Sequence, residues 1–223
     1  MSNDLNRRIG EWGKPAELWG LVREYIGLGR RRRREPVDNR IRLRQFLETR
    51  ASFVAQTSLY GYLRTRTGMR YPELFDDDVF VRSINIAKWH IWLACVSDLA
   101  VYAGGLLVQR TSASIGEVEN LIRELVEEVV TAAGSPADAD EEFAAHAERV
   151  LGRVAQCDWT QITDDETAFS ESPVALVRWA PVIDELKQLD EPIVKNSVRF
   201  RWQEIRRDLR RDLDAGAVLS SED

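Results

Sequence analysis

The sequence predicts an all-α fold: a single-domain helical bundle built around one buried central helix. Three observations lead there. Apolar residues recur at three- and four-residue spacing along most of the 223 residues, the period of an amphipathic helix. Hairpin chemistry is scarce, with no Asn-Gly or Asp-Gly pair between alternating runs. The stretch Trp89–Val108, WHIWLACVSDLAVYAGGLLV, is apolar around its whole circumference, which suits a helix covered on every side. A hydrophobic fraction of 44% with 9% aromatics supplies a core for such a bundle and argues against general disorder.

Each element follows from local signals. From Leu5 to Leu28 an apolar stripe including Trp12, Leu18, Trp19 and Ile26 is interrupted by Gly13 and Pro15, which predicts two short helices. A helix from about Asp38 to Thr67 carries Leu43, Phe46, Leu47, Phe53, Val54, Tyr60 and Leu63, with Arg50 and Thr57 breaking the stripe. Thr67-Gly68 reads as its stop. Acids at Asp76–Asp78 favour the start of the central helix, expected over about Asp78–Arg110. Ser114 and Glu117 form a capping box opening a helix that Gly134-Ser-Pro136 closes. Asp138 or Asp140 is expected to cap the next, acidic helix. Residues 158–171 read as an exposed polar loop, and Ser172-Pro173 as a helix start. Pro181 should kink or split that helix, and Asp190-Glu191-Pro192 should begin the last one. The domain division is a basic arm at 1–36, a bundle at 37–215 and a frayed tail at 216–223.

Charge is unevenly shared. Residues 1–50 hold 13 Lys/Arg against 7 Asp/Glu, a net of +6, whereas residues 111–195 hold 6 against 19, a net of −13. Such polarity orients a protein on a charged partner or surface. The overall net of −6 and the lack of a recognition motif disfavour nucleic acid. Two separated cysteines, Cys95 and Cys157, suit reduced thiols rather than a staple. The N-terminal residues lack a secretory apolar core, so the expected address is cytoplasmic, with peripheral contact to the inner face of a membrane. Trp89–Val108 has the length of a membrane span, but Asp98 at its middle favours a protein interior.

No catalytic motif stands out. Glu142 and His146 lie four apart, yet only two histidines exist, so neither a metal nor another cofactor is expected. His90, Ser97 and Asp98 share roughly one face of the central helix, and a hydrolase using His90 and Asp98 is the rival reading. The buried Asp98 needs a cation, and Arg50 is the expected partner. Gly104-Gly105 is read as allowing a close helix crossing.

Contact residues carry the preferred reading, a non-catalytic adaptor or assembly protein. Arg30, Arg31, Arg32, Arg33 and Arg34, reinforced by Arg40, Arg42 and Arg44, are expected to meet a protein partner or the chain's own acidic flank. Trp12, Leu18, Trp19 and Ile26 beside that run suit an anionic membrane surface. Phe200 and Arg201 on the last helix have interface composition, and a homo-oligomer is among the expected assemblies.

Overall fold

The central helix governs everything else in the computed structural model, which describes residues 36–221. Trp12, Leu18, Trp19, Ile26 and Arg30–Arg34, for which contacts are expected, lie outside the described residues. Among the described residues the chain is 80% helical and forms seven α-helices. They are α1 (Arg40–Thr67), α2 (Asp78–Arg110), α3 (Ile115–Ala133), α4 (Glu142–Ala155), α5 (Glu171–Trp179), α6 (Asp184–Asp212) and α7 (Ala215–Ser220). Helix α2 has the predicted bounds, and every residue from Ala87 to Leu107 is buried. Its neighbours α1, α3, α4 and α5 cover it, and α6 closes the bundle against α1 and α5. By length and composition α2 could cross a membrane, but 94% of its most apolar window is buried within the bundle.

Local chemistry sets the ends. Asn39 caps α1 by accepting from Arg42 N, and Asp77 caps α2 by accepting from Val79 N and Phe80 N. The capping box of Ser114 and Glu117 forms as the sequence requires. Gly134 ends α3 at φ 65°, a conformation that favours glycine. The chain enters beside its own C-terminal end: Val37 N donates to Asp212 O, and Asp214 N donates to Val37 O.

Three expectations are corrected, and a fourth in part. Helix α6 begins at Asp184 rather than Asp190 and carries Pro192 inside it. Pro192 is exposed, so water can satisfy the carbonyl that its missing N–H leaves open. Asp190 is turned inward to Arg66 and Tyr62 of α1, and so is not a cap. Residues after Ala215 form α7 with Val218 buried, capped by Asp214, instead of fraying. The segment 158–171 is largely exposed, as expected, but not throughout: Trp159, Ala168 and Phe169 enter the core.

Gly104 and Gly105 explain the placement of Trp159. A Cβ at Gly104 would sit 2.2 Å from Trp159 Cζ3, and one at Gly105 would sit 2.3 Å from Ile162 Cγ2. The glycine pair therefore admits an indole and an isoleucine from a loop, not the helix crossing expected. Gly152 in α4 faces open space. Gly104→Ala should cost about 1–3 kcal/mol by overpacking. Gly152→Ala should stabilise by about 0.5–1 kcal/mol through helix propensity. Urea midpoints of the two variants, moving in opposite directions, check the assignment.

Candidate functional site

Ionisable residues on α2 form three separate clusters. Asp98, wholly buried, accepts four hydrogen bonds. Its Oδ1 takes Arg153 Nη1 at 2.7 Å and Glu171 N at 3.0 Å; its Oδ2 takes Ser172 N at 2.8 Å and Ser172 Oγ at 2.6 Å. Trp202 Nε1 donates to Ser172 Oγ, which ties α6 to the same cluster. Three of the four partners, the Arg153 guanidinium and the Glu171 and Ser172 amides, can only donate, and these favour the carboxylate form. Burial pushes the carboxyl above its ordinary range, and Arg153 and Ser172 oppose that push. Asp98 thus caps α5 from another helix, taking the first-turn N–H groups that Ser170 leaves unserved.

The expected Asp98–Arg50 pair is not formed. Arg50 faces Asp208 of α6 at 3.8 Å and lies over the Phe46 ring. The cation at Asp98 comes from α4, whose Arg153 also donates to Ser97 Oγ and Ala168 O. Sequence reasoning missed Arg153, although it stands among the buried-stripe residues Val150, Leu151 and Val154 and so had a usable signal.

His90 is the second cluster. Its Nε2 lies 2.8 Å from Asp140 Oδ1 and its Nδ1 lies 2.8 Å from His146 Nδ1. Its ring stacks on Trp179, with centroids 3.6 Å apart and planes within 5°. In the neutral ring, Nε2–H donates to Asp140 Oδ1, and the bare Nδ1 accepts from His146 Nδ1–H. Burial, helped by His90, Arg149 and Arg178, pushes His146 down to about 4. Burial also lowers His90, against the pull of Asp140. Both ring nitrogens of His90 are engaged, Ser97 serves Arg153, and eight residues separate His90 from Asp98, about 12 Å of helix. The structure therefore does not bring the hydrolase candidates together. Among the described residues, no cluster of three or more His, Cys, Asp or Glu side chains is arranged to hold a metal ion.

The third cluster joins Lys88 Nζ to Asp138 Oδ2 and Trp89 Nε1 to Asp138 Oδ1, each at 2.7 Å. Asp138 and Asp140, expected as caps of α4, instead pin the loop before it onto α2. Helix α4 starts at Glu142 with no side-chain cap.

On the surface, the predicted use of the acidic flank is partly visible. Arg40 pairs with Glu124 and Arg44 with Glu128 of α3, while Arg42 faces Asp38. An open cleft of about 460 Å³ lies beside the α5–α6 turn, lined by Ser83, Ile86, Trp179, Pro181, Ile183 and Lys187.

Helix α6 is apolar on two opposite sides, one buried and one exposed. Val194, Val198, Trp202, Ile205 and Leu209 are buried on one side. On the opposite side Leu189, Ile193 and Phe200 are 73%, 72% and 72% exposed. Their spacings of four and seven residues place them in one stripe. Phe200 thus stands where a partner can reach it. Arg201 does not: it is half-buried, its Nη2 would lie 3.2 Å from a Cβ at Gly61, and its Nε is shielded from solvent. Its place in the contact set is corrected, since it packs on α1.

No family model, curated protein or solved structure matches this chain.

Two predictions follow the geometry. Asp98→Asn should cost about 3–5 kcal/mol by leaving Arg153 without its anion. Arg50→Met should cost about 1 kcal/mol or less, as an ordinary solvent-edge pair does. Comparing their urea midpoints tests which arginine serves the core. For His146, the unfolded value near 6.5 exceeds the folded value of about 4. Between these pH values the unfolded chain binds the extra proton, so stability is fully present above the window and falls as pH drops through it. His146→Asn should flatten that decline in urea unfolding between about pH 7 and about pH 5.

Proposed function

We propose that the protein is a non-catalytic helical docking or assembly protein whose contact surface is the outer face of α6. One observation carries the reading: Leu189, Ile193 and Phe200 are each more than 70% exposed in a single stripe on a helix whose other side is core. Scattered exposed apolar residues are ordinary, whereas three in helical register resemble the anchors of a helix-mediated contact. Arginines on the same helix suit a polar rim that steers and orients the partner. The basic arm, with Arg30–Arg34 and its tryptophans, adds a second contact in this proposal, to an anionic membrane surface on the cytoplasmic side.

A photo-crosslinking residue in place of Phe200 should yield a specific adduct in native extract, and one in place of Val174 on α5 should not. Ile193→Asp should abolish the adduct while leaving the melting temperature unchanged, because Ile193 is 72% exposed. Absence of any adduct from position 200 would defeat the docking reading. For the arm, replacing Arg30–Arg34 with glutamine in the full chain should reduce co-sedimentation with anionic vesicles. Undiminished binding would remove the arm from the proposal.

A further inference from the structure

We propose that the α6 face receives α6 of a second copy, packed antiparallel about a two-fold axis between Asn196 and Ser197. The inference rests on the docking reading above and names its partner. At 100° per residue, Glu185, Leu189, Ile193, Asn196, Phe200 and Arg207 fall within an arc of about 80° on the outward side of α6. The point midway between 196 and 197 is also midway between 193 and 200. An antiparallel copy therefore sets Ile193 against the second copy's Phe200 twice, once on each side of the axis. Leu189 lies over the stems of Gln203 and Glu204, and Asn196 meets its equivalent at the centre, where a polar residue fixes register.

Charge selects this direction. Leaving aside Asp190, turned inward to Arg66, residues 184–195 carry Asp184, Glu185 and Glu191 against Lys187 and Lys195. Leaving aside Arg201, packed on α1, residues 196–212 carry five arginines against Glu204, Asp208 and Asp212. Antiparallel packing brings Glu185 to Arg207 at both ends of a contact about 33 Å long. Parallel packing would place Glu185 on Glu185 and Arg207 on Arg207, which like-charge repulsion disfavours. The same face suits both copies, as a two-fold interface requires. The chain's own arm is a poorer occupant. Its Arg30–Arg34 run would add five cations to a helix whose second half already carries six arginines.

Sedimentation equilibrium on the full chain should show a monomer–dimer equilibrium. Ile193→Asp and Phe200→Asp should each give folded monomers that melt like the wild-type chain diluted below its dimer dissociation constant. Glu185→Arg or Arg207→Glu alone should weaken the dimer about tenfold, a change of about 1.4 kcal/mol. Both together in one chain should restore it. In a Cys157→Ser background, Asn196→Cys should form a covalent dimer on oxidation. Arg207→Cys should not, because its two copies lie about 31 Å apart. A one-chain mass at every concentration, failure of the double swap to restore, or self-crosslinking at 207 would each overturn the proposal. If the chain is monomeric and position 200 crosslinks a different polypeptide, self-pairing falls while the docking reading stands. If position 200 crosslinks residues 1–35 of its own chain, or nothing, both fall.

Discussion

One buried carboxylate holds three separate parts of this bundle in register. Asp98 lies on the buried stretch of the central helix, takes its cation from α4 and supplies the missing cap of α5. Each contact satisfies a need of the other party: the guanidinium requires an anion, and the first turn of α5 has N–H groups with no acceptor inside the helix. Because the four donors converge on two oxygens, shifting α4 or α5 along α2 by one turn would strand them in the core. An apolar interior alone would not select that register so sharply.

The same logic recurs along α2. Asp138 and Asp140 reach back from the loop before α4 to Lys88, Trp89 and His90. The polar groups of the central helix are thus engaged in positioning the helices around it, and His90 stacks on Trp179 while meeting His146 edge to edge. Helix α6 faces two ways, since its inner side completes the core through Trp202 while its outer side presents Phe200.

The bundle was legible in the sequence because hydrophobic period and capping chemistry are local. The bounds of α2, the capping box of α3 and the stop at Gly68 depend on residues within a turn or two of each other. What escaped were the partners. Asp98 visibly needed a cation, but Arg50 and Arg153 both stood near apolar stripes, and three-dimensional convergence decided between them. The acids at 138 and 140 looked like caps because capping is the commonest local use of aspartate before a helix. Trp159 was hidden in a polar segment, and only the space above Gly104 explains its burial. Phe200 is readable as an aromatic off the buried stripe and Ile193 lies within the expected helix, whereas Leu189 joins them only because α6 begins six residues earlier.

The most direct test of this architecture is native-state hydrogen exchange at Glu171 N and Ser172 N. First-turn amides ordinarily exchange fast, since no carbonyl within the helix accepts from them. Bound to a carboxylate in the core, these two should exchange as slowly as amides in the interior of α2, through global unfolding. Exchange at the rate of an open helix terminus would contradict the role given to Asp98.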